Sequence, residues 1–252
     1  MPFYYQSQGE GAPLVILHGL FGSMGNWRSI ASKLSSDFKV ITLDLPNHGY
    51  SPAQDFFNYQ TLAQDIAYFL IENNFSPAIL LGHSFGGKIA MQCALDFPNQ
   101  VSGLIVVDIA PRAYNPSHNF IFDALISLDL SYYGSRSEID KALSLKIPDM
   151  KVRQFLLMNL EKTKESYSWR INLVNLRNNY QAICAPITGN YPYKGKNLFI
   201  KGENSSYIAA DDEQEIYCWF PYGSIYSIPN TDHWVHADSP KLFLEAILAF
   251  LK

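Results

Sequence analysis

The stretch that most constrains this chain is Leu80-Leu81-Gly82-His83-Ser84-Phe85-Gly86-Gly87-Lys88. An apolar run, Ala78 to Leu81, enters it, and a helical pattern leaves it at Lys88-Ile89-Ala90-Met91. Between them stands Gly82-x-Ser84-x-Gly86. A strand that turns this sharply into a helix strains the middle residue and lifts its side chain clear of the sheet. The flanking glycines remove Cβ atoms that would clash in so tight a turn. Ser84 then sits at a helix N-terminus, where the Phe85 N–H can stabilise negative charge. The bare pattern arises by chance in roughly one chain in ten of this length, so its setting between strand and helix carries the weight. A glycine-rich βα turn that binds phosphate would share it, yet no Gly-x-Gly-x-x-Gly and no Walker Lys-Ser/Thr accompanies it.

The rest of the chain supplies the sheet that such a turn needs. Phe3 to Ser7 reads as a short strand. Leu14-Val15-Ile16-Leu17 is a continuous apolar run, as expected of a strand buried on both faces of a parallel sheet. Further strands are expected at Lys39 to Leu43, Leu104 to Asp108, Leu198 to Ile200 and Ser224 to Ile228. Helices are expected near Trp27 to Leu34, Tyr59 to Glu72, Lys88 to Asp96, Asp211 to Trp219 and Ser239 to Leu251. In the last of these Ser239 is the N-cap and Pro240 the first helical residue. The alternation places the chain in the α/β class, with a mostly parallel central sheet of about seven strands flanked by helices. It stops after Asp108. Residues 112–190 hold helical patterns at Phe120 to Ile126, Ile139 to Leu145, Val152 to Leu160 and Ser168 to Tyr180, with no convincing buried strand. They read as a helical cap inserted between the sixth and seventh strands of a core made of residues 1–111 and 191–252.

Composition removes several function classes. The net charge of −4, from 19 basic and 23 acidic residues, gives no basic excess for a nucleic-acid surface. No run approaches the ~18 apolar residues of a membrane span, and the first residues have no basic head or apolar stretch typical of a signal peptide. Cys93, Cys184 and Cys218 have neither zinc nor redox spacing, so they read as reduced and structural in a cytoplasmic protein.

A serine nucleophile needs a base, and the base needs a third group. In such sheets ligands bind at the carboxyl ends of the strands. His233 follows the Ser224 to Ile228 strand by a short loop and is the expected base, with His236 the competitor. Asp108 ends the strand after the Ser84 helix, and the order Ser84, Asp108, His233 suits an acid there. A rival slot follows the Leu198 to Ile200 strand, where Ser205 stands as a second hydrogen-bond partner of the imidazole and Glu203 as an outside candidate acid. The oxyanion hole requires two N–H donors. Phe85 is one; Leu20, or failing it Phe21, is the other. His18 and His48 read as structural turn residues.

These residues resemble the α/β-hydrolase superfamily across the whole chain. Finer strings resemble the YbfF-type esterases, the bacterial relatives of abhydrolase domain-containing protein 11: His18-Gly-Leu-Phe-Gly-Ser23, Asn47-His-Gly-Tyr-Ser-Pro52, Gly82-His-Ser-Phe-Gly-Gly-Lys88, Asp108-Ile-Ala-Pro111, Trp169-Arg170, Asn204-Ser205 and His233-Trp-Val-His-Ala237. That group is similar in using an Asp after the sixth strand with a Ser in the usual acid slot. One departure is Asp232, where the family usually has Gly. The resemblance implies an α/β-hydrolase fold and hydrolysis of small-molecule acyl esters or acyl thioesters without a cofactor. A carbon–carbon bond hydrolase, a transacylase and a catalytically idle binding protein are the alternatives on the same residues. A dehalogenase is disfavoured, because its nucleophile in this fold would be Asp. The cap is expected to select the acyl group. Trp169, Phe122 and Arg112 are its candidate pocket residues, Arg112 and Arg170 offering charge to an anionic head group.

Overall fold

The computed structural model describes residues 3–164 and 166–252. Its strands are β1 (Tyr5–Gln8), β2 (Pro13–Leu17), β3 (Lys39–Leu43), β4 (Ala78–His83), β5 (Val101–Val107), β6 (Leu160–Lys162), β7 (Tyr167–Trp169), β8 (Asn197–Gly202) and β9 (Gly223–Ile228). Seven of them form one sheet in the order β1-β3-β2-β4-β5-β8-β9, parallel throughout except for the β1–β3 pair. Alternate strand residues divide the core in two. Val15, Leu17, Leu80 and Val106 face one way and pack with Leu62, Ile66 and Ile89 of α2 (Tyr59–Glu72) and α3 (Phe85–Asp96). Leu14, Ile16, Leu81 and Ile105 face the other, against Ile30 and Leu34 of α1 (Arg28–Leu34) and Phe243 and Ile247 of α11 (Pro240–Leu251). Two buried faces explain why the strands are apolar runs rather than alternating ones.

The register sets the site. Leu17 lies opposite Gly82, and His83 opposite Val107. The residues that follow, His18 onwards, Ser84 and Asp108, therefore leave the sheet at one edge. From β2 the chain runs to β3 on one side and to β4 on the other, so this edge is a topological switch point, where open α/β sheets bind ligands.

The insertion leaves after β5 and returns at β8, the fifth and sixth strands of this sheet, not the sixth and seventh as expected. Among the described residues β1 alone precedes β2, one strand fewer than that count assumes. The insertion carries α4 (Asn119–Ile126), α5 (Arg136–Ser144), α6 (Met150–Leu157), α7 (Leu173–Asn178) and α8 (Tyr180–Cys184). It also contains the antiparallel hairpin β6–β7, in place of the start of a Ser168 to Tyr180 helix. Leu160 pairs with Trp169, and the Arg170 N–H donates to Asn159 O at 2.9 Å. Helix resumes only where the Asn172 side chain caps α7 by accepting the Asn175 N–H. Strands of three residues are too short to leave a periodic signal. Helix α6 ends at Leu157, before the expected Leu160, because Asn159 turns back: its Nδ2 donates to Leu156 O at 3.2 Å and to Phe21 O at 2.7 Å. Helices α9 (Asp212–Trp219) and α10 (Val235–Asp238) flank β9. Pro240 opens α11 as expected, although the Ser239 side chain makes no capping bond. Among the described residues no helix is long and apolar enough to cross a membrane.

Candidate active site

Ser84 has φ 51° and ψ −117°, a left-handed conformation forced on a non-glycine residue. Its neighbours show why the turn needs glycine. A Cβ on Gly82 would lie 2.3 Å from Gly86 O, and one on Gly86 would lie 2.4 Å from Leu17 O and 2.6 Å from His18 O. The helix thus starts directly against the end of β2. The turn is held from the other side by the Ser84 N–H, which donates to Val107 O at 3.0 Å.

Asp108 is fully buried and also takes positive φ, 51°. Three donors converge on its carboxylate. The Gly202 N–H reaches Oδ1 at 3.1 Å, His233 Nδ1 reaches Oδ2 at 2.8 Å, and Ser205 Oγ donates to Oδ2 as well. A carboxylate can only accept, so Nδ1 of His233 carries its hydrogen and Nε2 presents a lone pair. Ser205 was expected on the imidazole; it bonds the carboxylate instead, one step back. Glu203 lies outside the arrangement, with Oε2 accepting the Asn230 N–H at 2.9 Å. No hydrogen bond joins Ser84 Oγ to His233 among the described residues, although both line one cavity; such bonds are often long before substrate is bound.

The loop after β2 separates the two oxyanion candidates. The Phe21 N–H is taken by His48 Nε2 at 3.3 Å, whose Nδ1–H donates to Pro46 O at 2.9 Å. Phe21, at φ 60°, is held in this strained turn by His48 and Asn159 and has no donor to offer. The Leu20 N–H is not so engaged among the described residues, and Leu20 lines the cavity beside Ser84. His18 is structural as read: Nδ1 donates to Gly19 O at 2.8 Å and Nε2 accepts the Leu45 N–H at 2.9 Å. Burial holds His18 at about 4 and His48 at about 3. His236, the competitor for base, stacks on Trp27 at 4.2 Å, and burial lowers it to about 3. His83 is kept well below its ordinary value, by burial first and by His233 and His236 next. Its Nε2–H donates to the His233 carbonyl at 2.9 Å and so steadies the loop that bears His233.

Two cavities, of about 310 and 370 Å³, meet at Ser84. The expected pocket residues are mostly elsewhere. Trp169 lines neither cavity; it packs against the core from the hairpin. Phe122 is fully buried behind the lining, its ring 4.8 Å from Phe21 and 5.2 Å from Tyr180. Arg112 does line the smaller cavity, but its Nε donates to Asp212 Oδ1 at 2.6 Å and its guanidinium lies 4.0 Å over the Tyr114 ring. Arg170 is bonded to Met158 O at 2.8 Å and Tyr50 OH at 3.2 Å. The sequence reading missed Tyr207 and His118. Tyr207 stacks on the His233 ring at 3.8 Å and 20°, and its hydroxyl lies 3.4 Å from His118 Nε2. Tyr207 stands two residues past Ser205, and as an aromatic residue in a loop it carries no acid or base signal. His118, in the run into α4, had no spacing signal at all.

A strained serine at a strand-to-helix turn, with an Asp-held histidine at the same sheet edge, is the site arrangement of α/β hydrolases, and the chain belongs to that family: the family model described as alpha/beta hydrolase fold matches residues 12–240. Within it, the chain is 39% identical to the sn-1-specific diacylglycerol lipase ABHD11 of Danio rerio, over 98% of this chain and 81% of that protein. It is 32% identical to Esterase YbfF of Escherichia coli (strain K12), over 98% and 95%. Among solved structures it is similar to a marine microorganism esterase, with TM-score 0.95, 39% identity and 98% of each chain covered.

Proposed function

We propose that the chain is a serine hydrolase that cleaves carboxylic esters, or acyl thioesters, through an acyl-enzyme on Ser84. The observation that carries this reading is the 2.8 Å contact between His233 Nδ1 and the buried Asp108 carboxylate, beside a serine held at φ 51°. In the first half, Ser84 Oγ attacks the acyl carbonyl and gives its proton to His233 Nε2. The carbonyl oxygen becomes an oxyanion received by the N–H groups of Leu20 and Phe85. The bond to the leaving alcohol or thiol breaks, and that group takes the proton from His233. In the second half, water adds its hydroxyl to the acyl carbon and its proton returns the serine, releasing the acid. Asp108 keeps the imidazole in the tautomer that can accept from Ser84 and stabilises the cation that forms. Residues 112–190 act as a cap over this edge of the sheet. Relatives bearing esterase and lipase names support the same reading.

The test is fluorophosphonate labelling together with ester turnover, in the wild type and in Ser84→Ala. Labelling is expected to vanish in the variant, with turnover reduced to what binding and the oxyanion hole alone provide. Unchanged turnover in folded Ser84→Ala would overturn the proposal.

A further inference from the structure

Resting on this serine-hydrolase reading, we propose that the two cavities at Ser84 are separate arms of one substrate site. The smaller arm, which reaches Phe85 and Ile183, holds the acyl chain, and the larger arm, which reaches His233 and Phe155, holds the leaving group, an apolar and uncharged alcohol.

The arms share Leu20, Ser84, Ser117, His118 and Tyr207 and otherwise have different walls. The partition is a tied structure. Tyr207 lies flat on His233, its carbonyl accepts the Tyr114 hydroxyl at 2.5 Å, and its own hydroxyl faces His118. His118 is in turn bonded through Nδ1 to Tyr180 OH at 2.7 Å. A substrate carbonyl at Ser84 must therefore send one substituent to each side.

Which substituent goes where follows from the proton. The imidazole that takes the proton of Ser84 must give it to the oxygen of the departing alcohol, so that oxygen lies on the side of His233. His233 lines the larger arm and not the smaller. The leaving group therefore occupies the larger arm, and the acyl group the other, which begins at Phe85.

The walls then define the chemistry. The leaving-group arm is faced by Ile121, Ile147, Val152, Phe155, Leu156 and Trp234. Among the described residues its one carboxylate is Asp149, which caps α6 by accepting the Lys151 and Val152 N–H groups, and neither lysine nor arginine lines it. A phosphate-bearing thiol such as coenzyme A would meet an anion there and no cation. The two basic side chains that line the site among the described residues, Lys88 and Arg112, stand in the acyl arm. There Lys88 Nζ donates to Arg112 O at 2.7 Å and to Ala185 O at 2.5 Å. Tyr59, Ile109 and Ile183 form the acyl walls. The far part of the cap, expected to select the acyl group, thus selects the alcohol, and α8 selects the acyl chain.

The experiment measures kcat/KM on two ester series, one varying the acyl chain on a fixed alcohol and one varying a linear alcohol on a fixed acyl group. Butyryl-coenzyme A is a third substrate. Ile183→Phe is expected to lower the long-to-short acyl ratio by about tenfold or more and to leave the alcohol ratio alone. Val152→Phe is expected to do the reverse. Ile183→Ala and Phe155→Ala, which remove atoms, should shift the same ratios the other way and serve if the larger side chains prevent folding. Exchanged effects, effects on both series or on neither, or butyryl-coenzyme A turned over faster than butyrate esters, would overturn the assignment while the hydrolase reading stands. Absence of turnover on every ester by the wild type would overturn that reading itself, and the assignment with it.

Discussion

Ser205 Oγ donates its hydrogen to Asp108 Oδ2, the same oxygen that receives His233 Nδ1. Ser205 is thus a brace for the Asp108 carboxylate. It fixes the carboxylate rotamer, and the carboxylate fixes the imidazole. A second brace, the Gly202 N–H on Oδ1, comes from the end of β8. Both come from the chain at and just past the end of β8.

Asp108→Asn should therefore be severe and Ser205→Ala mild. The Asn amide presents a donor where Nδ1–H needs an acceptor, which in a serine triad costs ~10⁴ in kcat through the wrong tautomer. Loss of the Ser205 bond removes about 1.5–3 kcal/mol from a charged partner, roughly tenfold to a hundredfold in rate. Glu203→Gln should be near silent, because its contact is with the Asn230 N–H. Steady-state kinetics of the three variants check the order; a crippled Glu203→Gln would put the acid in its usual slot instead.

Gly86→Ala should damage catalysis more than stability. Its Cβ would meet two backbone oxygens, Leu17 O at 2.4 Å and His18 O at 2.6 Å, which cannot rotate away. Overpacking of this kind costs about 1–3 kcal/mol. The displaced segment leads directly into Leu20, and loss of one oxyanion donor costs about 10²–10³ in kcat. A lowered Tm with kcat reduced by at least about 10² in the folded fraction is expected. Unaltered kcat would mean that this loop does not supply the hole.

Stability should fall as pH drops below neutral. Folded His18, His48 and His236 protonate at about 4, 3 and 3, against 6.5 for an ordinary histidine, because burial opposes the charge. Between pH 6.5 and about 4 for His18, and down to about 3 for His48 and His236, the unfolded chain binds protons that the folded chain refuses. Their contribution is fully present above pH 6.5 and is lost as pH falls through that window, at up to about 1.4 kcal/mol per pH unit for each residue. His236→Phe keeps the ring that stacks on Trp27 and removes one titrating group. Urea unfolding at pH 7 and pH 5 should show the loss in the wild type and a shallower slope in the variant; equal slopes would refute the assignment.

Lys88→Met should loosen the insertion before the core. One buried amine, which burial pulls down to about 7, ties Arg112 O and Ala185 O, near the two ends of the insertion, to helix α3. Its removal leaves two carbonyls without their donor, about 1–3 kcal/mol for each that stays buried. Limited proteolysis should cut first within residues 113–184 and faster than in the wild type. Equal rates would show that other contacts hold both stems.

Much of the site was readable because its signals are local. Gly82-x-Ser84-x-Gly86 encodes one tight turn, and a Cβ at either glycine would strike the backbone. The runs at Leu14 to Leu17 and Ala78 to Leu81 encode burial on two faces, and Asp108 and His233 stand just past strand ends, where the register brings neighbouring loops to one edge. These follow from periodicity and backbone sterics, which a few consecutive residues carry. The remainder depended on contacts between distant segments. His48 silences the Phe21 N–H across 27 residues, Ser205 reaches Asp108 across 97, and Tyr207 meets His118 across 89. Trp169 and Phe122 are as apolar as any pocket residue, and only packing put the first in a hairpin and the second behind the lining. An apolar side chain in sequence reports that it will be buried. Whether it faces substrate or its own core is decided when loops from separate strands converge, and residue spacing does not encode that convergence.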